Sequence, residues 1–133
     1  GKKLGSERII TISGESGADE IELDKNTIIY DSKNNFSETI IKPNNTGDSK
    51  FLIVNSPKES ANKIIDCFNM KGNEDNLEKT SILNSILINT SIALRLADEK
   101  KSNEECFEEA KENIFNGNAL KKLIQLREIT NKN

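Results

Sequence analysis

At Ser56 the hydrophobic period of this chain changes, and the change divides what it can build. Before that point apolar residues come in short β-branched runs or alternate with polar ones; after it they recur every three or four residues. A chain patterned in this way folds with strands first and helices second. The boundary itself reads Ser56-Pro57-Lys58-Glu59: an N-cap serine, a proline suited to the first helical turn, and a glutamate three residues after the cap. The spacing predicts a helix beginning at Pro57.

Ala61, Ile64, Ile65 and Phe68 line one face of that helix, and Gly72 is its expected stop. A second helix over residues 75–97 carries Ile82, Leu83, Ile86, Leu87, Ile88, Ile92, Ala93, Leu94 and Leu96 around more than one face, which makes it the central, most buried one. Ser81, Ser85 and Asn89 recur within it at four-residue intervals and share a face. Small polar groups so placed suit helix-to-helix packing, with ligand contact as the alternative. Ser102-Asn103-Glu104-Glu105 is another capping box, opening a helix with Cys106, Phe107, Ala110 and Ile114 inward and Gly117 beyond its end. A last helix starts at Ala119, with Leu120, Leu123, Ile124 and Leu126 as its stripe, and residues 131–133 are expected to fray.

On the strand side, Ile9, Ile10 and Ile12 with Thr11 among them form a short β-branched run that suits a strand covered on both faces. Ligands of open α/β sheets sit beyond the carboxyl ends of such strands. Asp19 and Glu20 lie just past this end. Neighbouring residues of extended chain point to opposite sides, so the two carboxylates can share a ligand only if the backbone bends, and Gly14 and Gly17 supply that freedom. Magnesium takes one or two protein carboxylates and completes its shell with water and phosphate oxygens. The plainer reading is two solvated charges in a turn, since acidic residues are mostly exposed. The glycine pair matches neither a G-x-G-x-x-G fingerprint nor a phosphate loop closed by Lys-Ser/Thr. Further on, Ile21 and Leu23, then Thr27, Ile28, Ile29 and Tyr30, then Phe36, Thr39, Ile40 and Ile41 predict a short antiparallel meander broken by turn-formers, with residues 43–50 as a connecting loop.

At 133 residues the chain is one domain's worth, enough for a core without staples. A net charge of −3, no Trp and one Tyr argue against a basic or base-stacking surface, so neither DNA nor RNA is an expected partner. Cys67 and Cys106 lack a C-x-x-C partner or a histidine and read as buried free thiols. No apolar run is long enough to span a bilayer, no membrane association is expected, and a reducing cytoplasm fits best. The Asn-x-Ser/Thr triplets at Asn35, Asn44 and Asn89 then count as chance matches.

Three stretches taken together resemble a known family. Residues 4–21 run Leu4-Gly5-Ser6-Glu7-Arg8, an isoleucine strand, Ser13-Gly14, Glu15-Ser16-Gly17, then Ala18-Asp19-Glu20-Ile21. This is similar to the leucine-Gly-Ser-Glu-Arg, strand, His-Gly, acidic-Gly, Leu/Ile-Asp-Glu-hydrophobic pattern of the anthranilate phosphoribosyltransferases, members of the nucleoside phosphorylase and phosphoribosyltransferase superfamily. Leu52-Ile53-Val54-Asn55-Ser56-Pro57-Lys58-Glu59-Ser60-Ala61 resembles a strand-like approach and helix start of archaeal members, and Leu87-Ile88-Asn89-Thr90-Ser91-Ile92-Ala93-Leu94 resembles the family's Leu-Asn-Ala-Ala-Ala-Ala-Leu helix. The three fall in family order. Two departures stand out: Ser13 replaces the family histidine, in a chain that has none, and the family's Asp-Phe-Gly turn is Asn45-Thr46-Gly47 here.

The resemblance implies an α/β fold class, with residues 1–133 forming the C-terminal part of the large phosphoribosyltransferase domain: a fragment of a mixed-sheet domain, one buried strand plus a small antiparallel meander followed by about four helices. It implies Asp19 and Glu20 as ligands of Mg²⁺, and transfer of the phosphoribosyl group of phosphoribosyl pyrophosphate to anthranilate in tryptophan biosynthesis. Family members are expected to be about twice this length or more. The glycine-rich phosphate loop, most substrate contacts and the small helical domain, through which the whole protein would form a homodimer, have no counterpart in these residues. By itself this stretch is expected to be inactive. The alternatives are a related nucleoside phosphorylase-like transferase or a non-catalytic helical docking module.

Overall fold

The computed structural model describes residues 2–43 and 46–131. Three strands, β1 (Ile10–Gly14), β2 (Thr27–Asp31) and β3 (Ser37–Ile41), make an antiparallel sheet in the order β1-β2-β3. Four helices follow: α1 (Pro57–Phe68), α2 (Leu77–Ala97), α3 (Asn103–Phe115) and α4 (Asn118–Thr130). The expected order of strand, meander and four helices is the observed one. The register sets Ile12 opposite Ile29 and Gly14 opposite Thr27, with Thr27 opposite Ile41 on the other side.

The sheet differs from expectation in two respects. β1 is an edge strand, and it alternates half-buried Ile10 and Ile12 with exposed Thr11 and Ser13. It is therefore not covered on both faces in this chain, because antiparallel pairing with β2 leaves one face open. Ile21 and Leu23 do not form a strand. They lie in the long connection between β1 and β2 and are 1% and 0% exposed, so their apolar alternation reflects a buried loop.

The helix starts follow the local signals. Ser56 Oγ accepts from the Glu59 amide and Pro57 is the first helical residue of α1; at α3 both halves of the Ser102/Glu105 capping box are present. Asn76 caps α2, so that helix starts at Leu77. α1 ends at Phe68, short of Gly72, because Met70 turns into the core, where it is 4% exposed. Gly117, at φ 82°, ends α3 by donating to Ile114 O and at once begins α4 at Asn118, one residue before the expected Ala119. Asn44, Asn45, Lys132 and Asn133 lie outside the described residues, and with them part of the expected 43–50 loop, one position of the Asn45-Thr46-Gly47 turn and most of the tail.

The helical core joins Cys67, Met70, Leu83, Leu87, Ala110 and Ile114. Both cysteines are free and buried, and desolvation pushes the Cys67 thiol up to about 11, which leaves it neutral and inert. Among the described residues no helix is long and apolar enough to cross a membrane. α2 works on two sides at once. Residues two apart on a helix differ by about 200°, so Leu83 and Leu87 face the other helices while Ser81 and Ser85, equally buried, face the loops that descend from the sheet.

Candidate functional site: the loop between the first two strands

The residues after β1 turn because glycine permits it. Gly14 N donates to Ala18 O at 2.7 Å and Gly17 N to Gly14 O at 3.0 Å, with Gly17 at φ 91°. Glu22, 7% exposed, folds back beneath this bend. Its carboxylate accepts from the Ser16 amide at 3.0 Å and from the Ser16 hydroxyl, and its own amide donates to Thr27 Oγ1 at 3.0 Å. Burial pushes the Glu22 carboxyl up, but the Ser16 hydroxyl and amide, aided by Lys25, outweigh it and hold the group below its ordinary value. A side chain at Gly14 would place Cβ 2.8 Å from Glu22 Cδ, so the close approach needs glycine. Asp24 is engaged too. It accepts from Ser49 Oγ at 2.6 Å and Ser49 N at 3.2 Å, and the Ser49 hydroxyl leads in keeping its carboxyl below the usual range.

Asp19 and Glu20 sit at the outer turn of this loop, both exposed, and neither is held by a hydrogen bond or ion pair. Glu20 lines a cleft of about 500 Å³ together with Glu22, Asp24, Lys25, Asp48 and Lys50; Asp19 does not line it. Among the described residues no group of three or more Cys, Asp and Glu is placed to hold a metal. Chemically the pair offers part of a magnesium shell: two unengaged hard oxygen donors adjacent in sequence, with the remaining positions left to water or to a phosphate-bearing ligand. Ser13, at the family histidine position, is exposed on β1 opposite Ile28.

The serine and asparagine face of α2 is where the sequence reading needs correction. Ser81 Oγ accepts from the Asp48 amide at 3.0 Å, and Asn89 Oδ1 accepts from the Ile21 amide at 2.9 Å while Asn89 Nδ2 donates to Ile21 O at 3.5 Å. These residues bind loop backbone; they do not pack helix on helix. Glu22 and Asn89 are the residues of the loop's support that sequence reasoning did not assign, and the four-residue spacing of Ser81, Ser85 and Asn89 was the available signal for one of them.

No family model matches the chain. Curated relatives do, and those named here are anthranilate phosphoribosyltransferases. The chain is 33% identical over 130 residues to that of Methanococcus aeolicus, covering 95% of this chain and 38% of the relative. It is 31% identical over 127 residues to that of Methanococcus maripaludis (94% and 37%) and 27% identical over 136 residues to that of Aquifex aeolicus (98% and 38%). The chain thus spans 37–38% of the length of these relatives. Among solved structures, the Saccharomyces cerevisiae enzyme with 4-fluoroanthranilate superposes with a TM-score of 0.74 at 21% identity, over 87% of this chain and 34% of that one. The same enzyme with PRPP and Mg gives 0.71 at 22% identity, over 86% and 32%. The resemblance read from the motifs extends over nearly the whole chain, and the α/β fold is that of the C-terminal part of those enzymes.

Proposed function

We propose that residues 1–133 are the C-terminal part of the large domain of an anthranilate phosphoribosyltransferase, and that the β1–β2 loop presents Asp19 and Glu20 as the protein's carboxylate ligands for Mg²⁺. The reading is supported by the likeness to relatives of that name over 94–98% of the chain, and the observation that carries the site is the adjacent, unengaged pair at a bend. In the intact enzyme the amino nitrogen of anthranilate bonds to the anomeric carbon of phosphoribosyl pyrophosphate. The carbon–oxygen bond breaks, pyrophosphate departs with the electron pair, and the amine gives up a proton. Such a transfer depends on orientation and on neutralising charge on the leaving group, which bound magnesium supplies.

This chain's own residues do three things in that account. Asp19 and Glu20 would hold the ion, Gly14 and Gly17 form the bend that precedes them, and Glu22 with Ser16 keeps that bend closed. If the aromatic amine attacks in its neutral form, no histidine base is needed at position 13, where this chain has serine. The phosphate-cradling loop belongs to the other part of the enzyme, so these residues are inactive alone. The same reading makes the whole protein a cytoplasmic homodimer joined through its N-terminal domain, and two free thiols suit a reducing compartment.

In the intact enzyme at saturating Mg²⁺, Asp19→Ala and Glu20→Ala are each expected to lower turnover about a hundredfold or more, in line with the loss of a group that supports leaving-group charge. Steady-state assay of the double variant decides the matter: turnover like that of the parent would sink the site assignment.

A further inference from the structure

We infer that Asn89 is the positioning residue of this site, fixing the stretch of backbone from which Glu20 projects by holding Ile21. The inference rests on the proposed carboxylate role of Asp19 and Glu20.

The argument starts from how little else restrains Glu20. Its side chain is exposed and unengaged, so what the fold fixes is the place and direction of its Cα–Cβ bond, and these are set by its backbone. The peptide that leaves Glu20 is held on its nitrogen, where Ile21 N donates to Asn89 Oδ1 at 2.9 Å. The next peptide is held at both ends, by Asn89 Nδ2 on Ile21 O at 3.5 Å and by Glu22 N on Thr27 Oγ1 at 3.0 Å. The Ile21 side chain between these bonds is 1% exposed, so the clamp sits over a buried anchor. Asn89 is itself oriented by its helix: Nδ2 also donates to Ser85 O at 3.0 Å. One side-chain amide therefore grips a backbone amide and carbonyl 68 residues away, next to Glu20, an exposed carboxylate that lines the cleft. Ser81 of the same face is engaged elsewhere, bonding Asp48 and Leu77, and Ser85 meets the clamp through its carbonyl.

The test is a double-mutant cycle on the chain as it stands, read by titration with Mn²⁺ as a paramagnetic hard-cation probe and by circular dichroism for the fold. Partners one shell out from a metal commonly change its affinity by about 10–100-fold, and for an exposed two-carboxylate site the lower end applies: Asn89→Ala should weaken Mn²⁺ binding about tenfold. Glu20→Ala should weaken it at least as much, and adding Asn89→Ala to Glu20→Ala should cost little more, because the asparagine acts through that carboxylate. A purely structural asparagine would lower the melting temperature and leave the Mn²⁺ constant where it was, which overturns the inference while the cation reading stands. If Asp19→Ala and Glu20→Ala themselves leave Mn²⁺ binding unchanged, the cation reading falls and the inference with it. Should Asn89→Ala not fold, Asn89→Asp takes its place in the cycle: it keeps an acceptor for the Ile21 amide but sets an oxygen against Ile21 O. An unchanged Mn²⁺ constant there is equally fatal.

Discussion

One added methyl group measures how tightly the loops sit on the central helix. A Cβ at Gly47 would lie 2.9 Å from Ser81 Cα and 2.7 Å from Leu23 Cδ1, and the first of these atoms is helix backbone that cannot turn aside. Overpacking of this kind costs about 1–3 kcal/mol, so Gly47→Ala should lower the unfolding free energy measured by urea titration by that amount. Gly72→Ala, which meets nothing within 4 Å, should stay within about 0.5 kcal/mol of the parent. The contrast shows which features are legible one residue at a time. Gly14 and Gly17 announced a bend, and Asp19 and Glu20 stood out as neighbours beyond it, because those signals need only adjacent letters. Glu22 was passed over since a carboxylate between Ile21 and Leu23 reads as the outward member of an alternation. It is buried only because Ser16 and the open space over Gly14 receive it.

At the scale of the element, legibility follows the range of the interaction. Ser56 and Ser102 predict helix starts because the cap and the amide it serves lie three residues apart, and both bonds form, at 3.2 Å and 3.1 Å. Ser102→Ala removes the acceptor for Glu105 N and leaves the reciprocal bond, from the backbone N–H of residue 102 to the Glu105 carboxylate, in place, so α3 should lose about 1 kcal/mol. A denaturant series on this variant, set beside Ser6→Ala on the exposed approach to β1, checks it. The end of α1 departs from expectation for one local and one tertiary reason: Asn69 Nδ2 donates to Ile65 O four residues back at 2.8 Å, and Met70 is drawn into the core, neither of which needs Gly72. The polar face of α2 departs from expectation for a wholly tertiary reason. Its partners, Asp48 and Ile21, lie 33 and 68 residues away, and no local pattern carries such information.

Across the whole molecule, a polar clasp ties the sheet to the end of α2. Arg8 forms a bidentate pair with Asp31, at 3.2 Å and 2.6 Å, and reaches Arg95 O at 3.4 Å, while Lys33 pairs with Glu99 just beyond α2. By contrast, Leu83 and Leu87 are fixed by apolar packing among three helices. The two layers should therefore respond differently to acid. The Arg8 guanidinium holds the Asp31 carboxyl below its ordinary value, and the Lys33 ammonium does the same for Glu99. A carboxyl whose folded pKa is depressed contributes stability that is present in full above its unfolded value and is lost as pH falls through the lower folded one. The unfolded values lie near about 4, so the clasp is intact at neutral pH and weakens below that point. Native-state hydrogen exchange corrected for intrinsic rates should show β1 and β2 amides opening more readily than those of Leu83 and Leu87 at pH 7. The gap should widen as pH is brought below about 4, where these carboxylates begin to take up protons. Asp31→Asn should have the wider gap already at pH 7 and a smaller further change on acidification. Sheet and helix amides that open together at both pH values, in parent and variant alike, would mean that the molecule is a single cooperative unit and that the clasp is incidental to it.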